Sequence, residues 1–372
     1  MSGYLPVLSD PTPPPRKTLT NRFFSPLVNT VFNPQKRLFD AVKVNKRTTR
    51  KNEKLSVVTD LIRRGVVRID EPHEGKTPLM FACENGHSQI AHALIEAGAD
   101  VNASYPVNGM TSLMWASQNG YLSIVQELLA HGANVNATVT LNDESKGSTA
   151  IMRASRHGYS AIVEELLRHN ANPNAACING ATALMMASQY GHIEPVRQLL
   201  AHGANVDAEL TSGETSLMLA CWKGHANILR ELVAHNANLN SVSKNTGDSG
   251  LIVATDNHHE EVVKVLCQSG VDKNIVNKDG KKAIDYADDR MKVILSECNV
   301  QPVRAPRPIQ VQPQPQPQTQ PQTQPQTPSL PGAVEEDEQE NIPNNVPLLP
   351  NGLRKRKGGS RRTRKTRRKS RR

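Results

Sequence analysis

The chain has twelve histidines, five cysteines and a dense block of arginine and lysine near residue 372. These are the residue types that could do chemistry. Histidine with cysteine could hold zinc or activate a thiol nucleophile, and a run of cations could neutralise phosphates. The cysteines, Cys83, Cys177, Cys221, Cys267 and Cys298, stand far apart with no CxxC spacing. An odd, scattered set fits reduced, buried thiols in an intracellular protein. Most of the histidines recur at fixed places in a repeated pattern. His87, His192 and His225 share one position, His131 and His202 share another just before a glycine, and His169 and His235 hold that second slot before an asparagine. Metal sites need unlike ligands to converge, so placement locked to a repeat assigns these histidines to structure. Only the pair His258-His259 departs from the pattern, as a worn copy. No P-loop, GxGxxG, HExxH or GxSxG occurs. No catalytic, cofactor-binding or metal residue is expected, and a non-enzymatic protein is.

The repeat supplies the elements. Segments 77–82 (TPLMFA), 111–116 (TSLMWA), 149–154 (TAIMRA), 182–187 (TALMMA) and 215–220 (TSLMLA) are one motif, with weaker copies at 249–254 (SGLIVA) and 282–287 (KAIDYA). Their starts are 34, 38, 33, 33, 34 and 33 residues apart. Four residues after each of the first five alanines comes a glycine: Gly86, Gly120, Gly158, Gly191 and Gly224. Leucine pairs such as Leu128-Leu129 follow, then a glycine or asparagine stop. Thr or Ser opening each motif predicts a helix N-cap. The glycine breaks that helix, and a second begins near His87, Tyr121, Tyr159, His192 or His225. Ile124, Val125, Leu128 and Leu129 give the second helix a wide apolar stripe. An extended finger then runs to a turn glycine, such as Gly109, Gly147 or Gly213. One such unit cannot bury its apolar face alone, so the units must stack.

In period and signature this resembles the ankyrin repeat. The resemblance covers residues 35–299 and implies an all-α repeat: a solenoid of helix-turn-helix units with β-hairpin fingers, about seven to eight units with divergent caps. The first cap is read at 38–42 and 57–65, around a polar loop at 45–52. The last is read at 283–287 and around 291–295. The family's motif histidine is replaced by Met80, Met114, Met152, Met185 and Met218, which cannot make its local hydrogen bond, so these units should rely more on packing. Two fingers exceed the 33-residue unit. The one at 104–108 has one extra residue and the one at 138–148 has five. Long loops on a repeat scaffold tend to mark its binding face.

The resemblance also implies a function, that of an adaptor holding a protein partner in a concave groove. Family practice places contacts at the two residues before the helix-break glycine and just after the turn glycine. Carried over, these are Glu84 and Asn85, Gln118 and Asn119, Arg156 and His157, Gln189 and Tyr190, Trp222 and Lys223, and Asp256 and Asn257, with Met110 and Glu214 beside them. Arg156, Tyr190 and Trp222 are of the types enriched at binding hot spots.

Charge and proline isolate the two ends. Of 25 prolines, seven lie in 1–34 and thirteen in 301–350, so those segments cannot carry long helices. Residues 1–34 read as a disordered Pro-rich segment, and 300–350 as a disordered Pro/Gln-rich linker. The net charge of +10 divides sharply. Thirteen cations stand in the tail at 351–372: Arg354, Lys355, Arg356, Lys357, Arg361, Arg362, Arg364, Lys365, Arg367, Arg368, Lys369, Arg371 and Arg372. The rest of the chain therefore carries −3. Its last nineteen residues, 354–372, have no aromatic residue for base stacking and no apolar one for a membrane helix. Nucleic acid or a nuclear import receptor is its expected partner, and an intracellular site, nuclear rather than cytoplasmic, its expected address. Its Gly-Gly followed by basic blocks looks like the C-terminal tails of large DNA virus proteins, which would make that address a host cell. No run of 18 apolar residues occurs; no membrane partner and a monomer are expected. A nucleic-acid-associated protein tethered by its tail, with the repeats recruiting a partner, is the alternative function.

Overall fold

The computed structural model describes residues 33–43, 51–141 and 145–298, with the side chains of 51 and 52 left aside. The proline-rich ends and the tail lie outside these residues.

Every unit between residues 77 and 268 is a pair of short antiparallel helices: α3 (Pro78–Asn85) and α4 (Ser88–Glu96), α5 (Ser112–Asn119) and α6 (Leu122–Ala130), α7 (Ala150–His157) and α8 (Ser160–Arg168), α9 (Ala183–Tyr190) and α10 (Ile193–Ala201), α11 (Ser216–Lys223) and α12 (Ala226–Ala234), α13 (Gly250–Asp256) and α14 (Glu260–Gln268). First helices pack on first helices and second on second along the stack. The motif threonines start the first helices as predicted. The Oγ of Thr77, Thr111, Thr182 and Thr215 accepts from the backbone N–H of Met80, Met114, Met185 and Met218. Each bond satisfies one of the N–H groups a helix start leaves open. Thr149 is the exception and makes no such bond. The motif methionines are buried to 1 % exposure or less, as a packing role requires.

A short 3-10 turn (Ala283–Tyr286) and α15 (Asp289–Ser296) close one end. At the other, α1 (Pro34–Lys43) and α2 (Lys51–Arg63) cover the first full unit, burying Leu38, Val42 and Val58. Helix α2 starts inside the stretch read as a polar loop, at Lys51. The fingers are minimal hairpins. Among the described residues they carry isolated antiparallel bridges, such as Ser104 with Thr111 and Glu209 with Thr215, and no extended strands.

The reading of reduced, separate cysteines is also corrected in part. Cys83, Cys177 and Cys221 are buried and form no disulfide, but Cys267 and Cys298 are bridged. Their separation of 31 residues is close to one repeat period, so stacking of α14 against α15 brings their Cα atoms to 4.8 Å. Burial pushes the Cys83 thiol up to about 12, which keeps it protonated and inert.

Two devices lace one unit to the next. The first is a seat for an aromatic ring. A Cβ on Gly158 would lie 2.4 Å from the ring of His192, and one on Gly86 would lie 2.5 Å from that of Tyr121. The break glycine thus both takes the left-handed turn and leaves the space the next unit's ring fills. From that seat the Nε2–H of His192, His225 and His259 donates to the carbonyl of Arg156, Gln189 and Trp222 of the unit before. These bonds cross unit boundaries, unlike the local bond the family's motif histidine makes. The worn copy keeps the geometry, for His258 takes the left-handed conformation (φ 57°) where a glycine would stand.

The second device is an amide ladder. The Oδ1 of Asn102, Asn136, Asn174, Asp207 and Asn240 accepts from the backbone N–H of Asn134, Asn172, Asn205, Asn238 and Asp272, one unit on. The Nδ2 of Asn102, Asn136 and Asn174 also donates to the carbonyl of Gly132, Asn170 and Gly203.

Candidate protein-binding groove

Finger tips and first helices share one face, and a pocket of ≈ 310 Å³ opens where the two long fingers stand. Asn108 and Met110 come from the first long finger, and Val139, Leu141, Ser145 and Ser148 from the second. Trp115 and Gln118 of α5, Arg153, Arg156 and His157 of α7, and Met186 of α9 form the helical wall, and Cys177 comes from the following finger. The extra length of the second finger is held by its neighbours: Thr140 N–H donates to Asn108 O, and Ile178 N–H to Lys146 O.

The wall is fixed by polar contacts. Arg153 Nη1 donates to Gln118 Oε1 at 2.6 Å across the unit boundary. The Arg156 guanidinium sits 5.2 Å from the centre of the Tyr190 ring, and Lys223 Nζ sits 3.7 Å from that of Trp222. These cation–π contacts hold long side chains over flat ones along the groove. Burial, then the charge of Arg156, His192 and Arg153, holds His157 below the ordinary histidine range. Lys76 closes one end of the wall. Its Nζ lies 2.9 Å from Glu84 Oε2 and 4.3 Å from the Trp115 ring centre.

The residues predicted from the sequence separate into two groups. Arg156, His157, Tyr190, Trp222 and Lys223 stand in one row, with Tyr190 42 % exposed. Gln118 lines the pocket and accepts from Arg153. Met110, Gln189 and Glu214 are buried, at 4 %, 5 % and 3 % exposed, and Met110 lines the pocket. Glu214 Oε1 accepts from Ser243 Oγ at 2.9 Å, and the Gln189 backbone carbonyl takes the His225 bond. Asn119 is a stitch, donating to Glu84 O and Trp115 O. Trp115 and Arg153 were missed. Both occupy the fifth position of the motif, which reads Phe81, Trp115, Arg153, Met186 and Leu219 down the units. Its variation between two near-invariant neighbours was the available signal.

Residues 47–139, 137–210 and 205–277 match three copies of a family model described as ankyrin repeats. The ankyrin repeat domain of human ASB11 matches with a TM-score of 0.54 and 27% identity, covering 61% of this chain and 100% of that one. No curated protein matches.

Proposed function

The chain belongs to the ankyrin-repeat family, and from that premise we propose that it is a non-catalytic adaptor that holds a partner protein in the groove. One observation carries this reading: Arg156, Tyr190, Trp222 and Lys223 form a continuous exposed or half-exposed row, beginning at the pocket the long fingers build. Aromatic and arginine anchors beside a pocket are what binding hot spots use. Among the described residues no helix is long and apolar enough to cross a membrane.

The thirteen cations of the tail favour a second reading, in which the tail binds nucleic acid or an import receptor, takes the protein to the nucleus, and leaves the repeats to recruit. One experiment separates the two. Capture of the partner by the full chain is compared with capture by a Tyr190→Ala/Trp222→Ala variant and by a chain ending at Gly352. The adaptor reading expects the double variant to lose about 2 kcal/mol or more of binding while its circular dichroism is unchanged, and expects the shortened chain to bind fully. Unaltered capture by the double variant, with loss on shortening and steep salt dependence, would replace it with the tail reading.

A further inference from the structure

Away from the groove, the second helices of two adjacent units bring two histidines and two glutamates together. His92 and Glu96 stand four residues apart and share one face of α4; Glu127 and His131 repeat the spacing in reverse order at the end of α6. His92 Nδ1 lies 2.7 Å from Glu127 Oε1, and His131 Nε2 lies 3.4 Å from Glu96 Oε1. Ligand atoms of His92, Glu96 and Glu127 all fall within 4.8 Å of one another. We propose that these four side chains form a binding site for a divalent transition-metal ion of the zinc class, joining the two units.

The donor set suits such an ion, since imidazole nitrogen and carboxylate oxygen are zinc ligands and four of them make a tetrahedron. The tautomer of His131 supplies an independent argument. Its Nδ1 lies 2.9 Å from Glu127 O and must donate there, because a carbonyl only accepts. In the neutral ring Nε2 then carries a lone pair, and it faces a carboxylate oxygen of Glu96. A ring whose other nitrogen donates to a carbonyl is the usual state of a metal-bound histidine.

The site is peculiar to this boundary. His202 and His235 make the same bond to the carbonyl four residues back. The slot of Glu96, however, is filled by Ala130, Arg168, Ala201 and Ala234 in later units. The His92–Glu127 contact taken alone has a counterpart in the ion pair Arg197–Glu231 at 2.6 Å. What distinguishes this boundary is the second pair, Glu96 with His131, which closes the square. Zinc holds such ligands at about 2.0–2.2 Å, so the side chains must draw inward. Exposures of 58 % for His92 and Glu96 leave them room to do so without moving a helix.

The test is calorimetric titration of the full chain with zinc chloride, repeated with Glu96→Gln, His92→Ala and His202→Ala. One ion per chain is expected. Affinity should fall at least about tenfold in Glu96→Gln and His92→Ala, the scale that follows loss of a group from a metal's inner or outer shell. His202→Ala, in the same slot without the carboxylate, should bind as the unaltered chain does. Cobalt(II) in place of zinc should give the visible absorption of a four-coordinate site in the unaltered chain and in His202→Ala, and not in Glu96→Gln or His92→Ala. Absence of binding, or binding that Glu96→Gln leaves intact, would overturn the proposal and reduce the four residues to ion pairs between units.

Discussion

Replacing Gly158 by alanine should cost much more than replacing Gly132, although both glycines are left-handed, at φ 74° and 81°. A left-handed backbone costs an L-residue about 1–2 kcal/mol, and both variants bear that term. Beyond it, a Cβ on Gly132 meets nothing within 4 Å. On Gly158 the same atom falls 2.4 Å from His192 Nδ1 and 2.7 Å from its Cε1, well inside any real contact. The ring must leave its seat. The bond from His192 Nε2 to Arg156 O, 3.1 Å long, goes with it. A lost intramolecular hydrogen bond costs about 0.5–1.5 kcal/mol, and a half-buried carbonyl left without its donor adds to that. Gly132→Ala should therefore lose about 1–2 kcal/mol and Gly158→Ala about 2–4 kcal/mol. Urea unfolding followed by circular dichroism reads the difference, provided the slope with denaturant is unchanged. Adding His192→Ala to Gly158→Ala removes the obstructing ring, so the two changes should be less than additive. Equal losses in the two glycine variants, or strict additivity in the cycle, would refute the ring seat as a source of stability.

Two further outcomes follow from the same stack. Burial, outweighing its backbone bond and reinforced by His259, Lys223 and His192, holds His225 below the usual histidine range. The unfolded chain therefore takes up a proton first, and stability present above about pH 6.5 declines as pH falls through the unfolded value toward the folded one. His225→Tyr, copying the seat of Tyr121 and Tyr159, should flatten the melting temperature between pH 7.5 and 5; an undiminished slope would exclude His225 as its source. Reducing the Cys267–Cys298 bridge reopens a 31-residue span and should cost about 2–4 kcal/mol. Melting with and without a reductant checks this, with a Cys298→Ser variant expected to be insensitive.

The helices were legible because their signals are local. A threonine cap, an apolar face and a glycine stop all lie within one unit, and α3 to α14 stand where those signals put them. What the sequence hid acts across a boundary. Gly158 reads as a helix stop, but its second purpose is set by a ring 34 residues on. Met110, Gln189 and Glu214 sit at family contact positions, yet all three are buried. Cys267 and Cys298 look unrelated until their separation is compared with the repeat period. Trp115 and Arg153 were visible only as variation at one motif position, a weaker sign than conformity to it.

The amide ladder gives the stack an uneven elasticity. Three successive boundaries, spanned by Asn102, Asn136 and Asn174, each hold an accepting and a donating bond. Asp70 and Asp207, in the same role toward Asp100 and Asn238, have no amide to donate and hold a single bond each. Under tension a nearest-neighbour stack yields at its weakest joint. The stretch from residue 102 to 205, which carries the pocket, is therefore the stiff middle of a spring whose compliance lies to either side. A load applied at the chain's ends would be taken up by those flanks before the pocket changed shape.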